Sequence, residues 1–145
     1  MNGAEGTPCF VDSNVLVYAL ADDDAERSPV AKQLLRDLRR AGTLHTSVQV
    51  LQELYVALTR KMQRPNRPKQ ALRYLGWLAA SPLFETNYVA IREAAQLSAA
   101  HRLSFWDALI IVAAARSGAK VLYSEDLQHG RSILGVRIVN PFRRA

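Results

Sequence analysis

Short apolar runs, each ending in polar residues and most followed by a helical pattern, recur along this sequence and limit its fold more than any other feature. Cys9 to Val11 closes on Asp12-Ser13-Asn14, three residue types that favour helix N-caps. Thr43 to Ser47, Leu83 to Thr86, Val121 to Tyr123 and Val136 to Val139 are further strand-like runs. Between them, apolar spacing predicts helices over 15–20, from Pro29 behind a Ser28 cap to Gly42, over 48–62, over 69–80, from an Asn87 cap to Ala100, and over 105–116. The expected inward faces are Val30, Leu34, Leu35 and Leu38; Val50, Leu51, Leu54, Tyr55 and Leu58; and Leu72, Leu75, Leu78 and Ala79. The helix from Phe105 to Arg116 is apolar almost all round, which marks it as internal. Brief apolar strands alternating with helices argue for an α/β fold, a central parallel β-sheet flanked by α-helices. One domain should span residues 1–145, with 1–7 a flexible N-terminal tail.

Composition agrees. A chain of 145 residues that is 49% hydrophobic and 22% charged is globular in type, and at this length it can bury roughly 70% of its unfolded surface. The single cysteine, Cys9, cannot close an intrachain disulfide and reads as core. The N-terminus lacks a basic and then apolar leader pattern, and no apolar run approaches the ~20 residues of a membrane span. A reducing, cytoplasmic setting and no membrane association follow as expectations.

The net charge is +6, and its location is informative. Between Leu54 and Phe84 stand Arg60, Lys61, Arg64, Arg67, Lys69 and Arg73 with no acid, while the two signs balance elsewhere. A basic segment of this kind suits an anionic partner such as RNA, whose phosphates supply salt-dependent affinity. Taken singly, each of the six reads rather as a solvated residue between two helices.

Open α/β sheets bind ligands beyond the carboxyl ends of their strands. Asp12, Ser47, Ser124, Glu125 and Asp126 collect at such ends. Asp12 alone reads first as a helix cap. Asp107 fits a capping box with Ser104, yet it opens an apolar helix where an unpaired carboxylate is costly. Glu53 lies at the edge of its helix's apolar stripe, with Val56 and Ala57 where a basic partner would sit. Together, several carboxylates on one sheet edge would raise each other's pKa unless a cation neutralised them. An all-oxygen set suits Mg²⁺, with Mn²⁺ as a substitute, and His45, His101 and His129 are too scattered to recruit a softer metal. Trp106 and Phe105 read as core more than as base-stacking groups.

Four motifs in order, Phe10-Val11-Asp12-Ser13-Asn14, Ser47 with Glu53, Ser104-Phe105-Trp106-Asp107-Ala108 and Ser124-Glu125-Asp126-Leu127, resemble a PIN domain, and within it the VapC-type toxins of toxin–antitoxin pairs. The tail Asn140-Pro141-Phe142 is similar too. The resemblance implies a metal-dependent ribonuclease with Asp12 and Asp107 as principal Mg²⁺ ligands. Glu53 and Asp126 complete the acidic set, and Asn14, Ser47 and Ser124 are polar supports. Ser124 stands where Thr is commoner, and either Glu125 or Asp126 could face the pocket, spacing favouring Asp126. It further implies a homodimer and a small antitoxin partner, with Tyr18 and Tyr55 either lining its groove or packing in the core.

Other readings stay open at this point. They are a PIN nuclease of RNA processing that is not a toxin, a non-catalytic RNA- or protein-binding PIN domain, and an α/β phosphotransfer domain. The last would want a second carboxylate near Asp12, where Asn14 stands, and a lysine after a late strand, whereas Lys120 precedes one.

Overall fold

A computed structural model describes residues 6–61 and 67–144. Of the expected tail over 1–7, only Gly6 and Thr7 fall among the described residues. The chain runs β1 (Cys9–Val11), α1 (Ser13–Ala21), α2 (Arg27–Ala41), β2 (Leu44–Ser47), α3 (Val48–Lys61), α4 (Arg67–Ala79), β3 (Leu83–Phe84), α5 (Tyr88–His101), α6 (Phe105–Arg116), β4 (Val121–Tyr123), β5 (Ser132–Ile133) and β6 (Val136–Val139). The six strands form one sheet in the order β3-β2-β1-β4-β6-β5. All pairings are parallel except β5 with β6. The expected α/β architecture is present, with an antiparallel hairpin at one edge.

β1 is central because Phe10 and Val11 carry apolar side chains to both faces and are fully buried. Burying a side chain the size of Phe10 contributes roughly 1.5–3 kcal/mol. α6 is buried continuously from Ala108 to Ala114 and packs against α5, β2, β4 and β6, which explains why it needs no polar face. Among the described residues no single helix is long and apolar enough to cross a membrane.

Two local expectations are corrected. α2 begins at Arg27, ahead of the expected Ser28 cap: Asp24 Oδ1 accepts from the backbone N–H groups of Glu26 and Arg27, while the buried Ser28 hydroxyl donates to the Tyr18 carbonyl. Val30, Leu72 and Ala79 are exposed, because the buried faces centre on Ala31, Leu35 and Leu38 in α2 and on Ala71 and Leu78 in α4. The β5–β6 hairpin turns through Leu134 and Gly135, both at positive φ.

Strand order places a switch point between β1 and β4. From β1 the chain moves outward to β2 and β3, then returns to β4 on the other side. Crevices at such reversals are where parallel α/β sheets bind ligands. Val11 is in register with Tyr123, so Asp12 and Ser124 leave the sheet side by side.

Candidate active site

Asp12 is only 6% exposed at the end of β1 and caps α1. Its Oδ1 accepts from the Ser13 N–H at 2.8 Å, and its Oδ2 accepts from the Ser124 hydroxyl at 2.9 Å. Its own N–H donates to the Tyr123 carbonyl. The capping role and the crevice position therefore belong to one residue; the cap fixes the carboxylate where the strands diverge.

Asn14 joins α1 to the segment after β4. Its Nδ2 lies 3.1 Å from Asp126 Oδ2 and 3.4 Å from both Asp12 Oδ2 and Ser124 Oγ. Its Oδ1 accepts from the Glu125 N–H at 3.0 Å. Ser124 Oγ accepts in turn from the Asp126 N–H. Of the two neighbouring acids it is Asp126 that turns toward Asp12. Glu125 turns aside, taking hydrogen bonds from Tyr18 Oη at 2.7 Å and Arg27 Nε at 2.6 Å.

From the other side, Glu53 on α3 accepts from the Ser13 hydroxyl at 3.2 Å and from Gln49 Nε2 at 3.3 Å. Gln49 also donates to the Trp106 carbonyl at 3.2 Å, which ties α3 to the first turn of α6 beside Asp107. Sequence reasoning passed over Gln49 and Ser13. The signal for Gln49 was its place one helical turn before Glu53, where a glutamine amide can support a carboxylate.

Asp107 sits in that first turn, half-buried. Ser104 Oγ accepts from the Asp107 N–H at 3.0 Å, but no described hydrogen bond engages the Asp107 carboxylate, so the reciprocal half of the capping box is not made. Ser47 accepts from the Val50 N–H and caps α3; it makes no described hydrogen bond to the acidic residues. The structure therefore joins Asp12, Asn14, Ser124 and Asp126 in one network, with Glu53 linked through Ser13, while Asp107 and Ser47 stand outside it. A cleft of about 260 Å³ opens beside the network, lined in part by Ser13, Asn14, Tyr18, Glu125 and Asp126.

Burial is the main cause that pushes the Asp12 pKa up to about 7. The Glu53 and Asp126 charges push it the same way, against the hydrogen bonds from Ser124 and Ser13. Near neutral pH this carboxylate is poised between its two forms, a condition a nearby cation would shift toward ionised. Among the described residues, no three His, Cys, Asp or Glu side chains lie close enough together to enclose a metal ion.

Of the basic candidates, Arg60, Lys69 and Arg73 are exposed on α3 and α4. Arg67 is 4% exposed with no partner for its Nε among the described residues, so in this structure it does not present its charge to a surface phosphate. Arg64 and the side chain of Lys61 lie outside what the structure describes. Trp106, read as core, is instead 62% exposed; Phe105 packs against the core in its place. Lys120 precedes β4, at the opposite end of the strand from Asp12, so it cannot serve a phosphotransfer reaction there.

The PIN domain family model matches residues 9–131, from the first residue of β1 to the start of the edge hairpin. The chain belongs to the PIN domain family. No curated protein matches its sequence. Several solved structures share its fold. The VapC20 toxin of Mycobacterium tuberculosis, described as cleaving the sarcin–ricin loop, aligns with a TM-score of 0.67 at 22% identity, over 81% of this chain and 89% of that one. A toxin–antitoxin complex from Klebsiella pneumoniae aligns with a TM-score of 0.68 at 19% identity, over 92% and 97%. The DNA-bound VapBC of Salmonella typhimurium aligns with a TM-score of 0.65 at 16% identity, over 91% and 96%. In this PIN domain the acidic network occupies the crevice at the strand-order switch.

Proposed function

We propose that this PIN domain is a Mg²⁺-dependent ribonuclease, with Mn²⁺ as a substitute, and the toxin of a VapBC-type toxin–antitoxin pair. One observation carries the reading most: a buried carboxylate, Asp12, shares a hydrogen-bonded network with Asp126 at the β1–β4 switch, with Glu53 near enough to raise its pKa. The likeness in fold to solved toxins and VapBC complexes supports the toxin assignment.

The residues present fit a hard divalent cation. The donors are all oxygens, and Mg²⁺ binds through one or two carboxylates while keeping several waters, so an enclosing cage of three is not required. Asp12 and Asp107 would hold it, with Glu53 and Asp126 completing the acidic set. When bound, such an ion lowers the pKa of a water and offsets charge on the scissile phosphate.

The chain's own residues do the rest. Ser124, Asn14 and the Ser13 N–H orient the Asp12 carboxylate. Gln49 and Ser13 orient Glu53, and Asn14 orients Asp126. A carboxylate turned to the crevice can accept the proton of the attacking water. The P–O bond to the leaving sugar oxygen breaks as the bond from water forms, and the leaving oxygen takes a proton from solvent water to become a hydroxyl. Arg60, Lys69 and Arg73 would meet the RNA backbone.

By the same reading the protein works in the cytoplasm as a homodimer and is silenced by a small antitoxin. Tyr18, in the cleft beside Asp126, and Tyr55, in an apolar cleft with Leu51, Val56 and Leu75, are the surfaces offered to it. Co-purification with a partner encoded beside it tests that part.

Product-end analysis tests the chemistry. Attack by water leaves a phosphate monoester on one fragment and a hydroxyl on the other, and chelation of divalent ions stops the reaction. A 2′,3′-cyclic phosphate, or cleavage that persists under chelation, contradicts the proposal.

A further inference from the structure

We propose that Arg27 is a positioning residue for the acidic site: by tying Glu125 to the Tyr18 side of the cleft, Arg27 sets the turn after β4 so that Asp126 faces Asp12. The inference rests on the reading of Asp126 as a site carboxylate.

Two adjacent acids follow β4, and charge alone does not distinguish them. Their contacts do. Asp126 is exposed and held by Asn14 Nδ2 and by its own N–H on Ser124 Oγ. Glu125 is held at three points: Tyr18 Oη on Oε1, Arg27 Nε on Oε2, and its N–H on Asn14 Oδ1. Glu125 is thus the firmer anchor of the turn, although Asp126 is the residue presented to the crevice.

Arg27 is itself held from several directions. Its Nη1 lies 3.5 Å from Asp24 Oδ2. Its guanidinium stands 5.5 Å from the Tyr18 ring centroid and 5.9 Å from that of Phe142. Those two rings meet edge to face at 5.0 Å. An exposed ion pair free to move contributes little. A guanidinium restrained by a carboxylate and two rings loses less freedom in making its hydrogen bond, and a lysine lacks the planar fork to replace it. The hydrogen bond to Glu125 is also the first cause that raises the Arg27 pKa above its usual value.

Arg27→Ala, Glu125→Ala, the double variant and Arg27→Lys test this by amide hydrogen exchange together with RNA cleavage kinetics. In Arg27→Ala, exchange at the Glu125 and Asp126 amides should rise about tenfold while β1 and β4 stay protected, since only a local opening is eased. kcat should fall roughly tenfold with KM little changed, as for loss of a residue that orients a ligand-bearing group. The double variant should be no worse than Glu125→Ala alone, because both substitutions break the same hydrogen bond, and Arg27→Lys should recover only part of the loss. Unchanged exchange in the turn, exchange raised evenly over the sheet, or additive losses would each overturn the inference. If the wild-type chain cleaves no RNA, the nuclease reading fails, and the exchange pattern still decides whether Arg27 sets the turn.

Discussion

The Ser124 hydroxyl donates to Asp12 Oδ2 at 2.9 Å across 112 residues of sequence. Parallel pairing of β1 with β4 makes this possible, since Val11 and Tyr123 are in register and the next residue of each strand emerges into the same crevice. The sheet thereby converts two distant motifs into one contact. Asn14 and Asp126 extend that contact, and Gln49 links Glu53 to the start of α6.

Asp12 makes the metal-free protein sensitive to pH. Its carboxyl ionises near the ordinary 3.8 in the unfolded chain and at about 7 in the folded one. Between those values the folded state holds the extra proton, so this contribution to stability is full below about pH 4 and is lost as pH rises through 7. In chelator, the unfolding midpoint should fall from pH 5 to pH 8, and Asp12→Asn should flatten that slope. An identical slope in both proteins contradicts the assignment.

Gln49 supports two partners, so its removal should cost more than one surface hydrogen bond. Gln49→Ala leaves Glu53 and the Trp106 carbonyl without their shared donor, a loss of about 1–3 kcal/mol in stability. RNA cleavage should fall roughly 10–100-fold, as for residues that orient metal ligands. Denaturant unfolding and cleavage rates on the same preparation check both.

The basic residues divide by exposure. Arg60→Ala, Lys69→Ala and Arg73→Ala combined should weaken RNA binding and flatten its salt dependence, by about 0.7 in log–log slope for each phosphate of a single strand that is no longer neutralised. Arg67→Met should leave that slope unchanged, because Arg67 is buried. Binding titrations at several salt concentrations separate the two sets.

Much of this fold was legible because its strands are short, mostly apolar runs that end in polar residues. β1 and β4 read directly from Cys9 to Val11 and Val121 to Tyr123. β5 did not, since it has two residues and its turn places Leu134, a poor turn former, at positive φ ahead of Gly135. The start of α2 was misread because Ser28-Pro29 mimics a cap signal while Asp24, three residues before Arg27, performs the capping. Leu72 and Val30 fell on the wrong side because large side chains suggested the inward face, whereas small Ala31 and Ala71 mark it. In the site, Asp12, Ser124 and Asp126 were legible as ends of strands, and Asn14 through the family resemblance. Spacing favoured Asp126 over Glu125, but the contacts that hold Glu125 were not legible, because Tyr18 and Arg27 lie about 100 residues away in sequence. Asp107 was named with the other acids, yet its carboxylate makes no described hydrogen bond with them.

The central claim is that this crevice, with its acids, cuts RNA. Its most direct test is cleavage of an RNA substrate in Mg²⁺ by the wild-type chain, Asp12→Asn and Asp107→Asn, with folding verified for each. The wild type should cleave, and both variants should lose more than the roughly 10–100-fold that supporting residues cost. Full activity in either folded variant would contradict the claim.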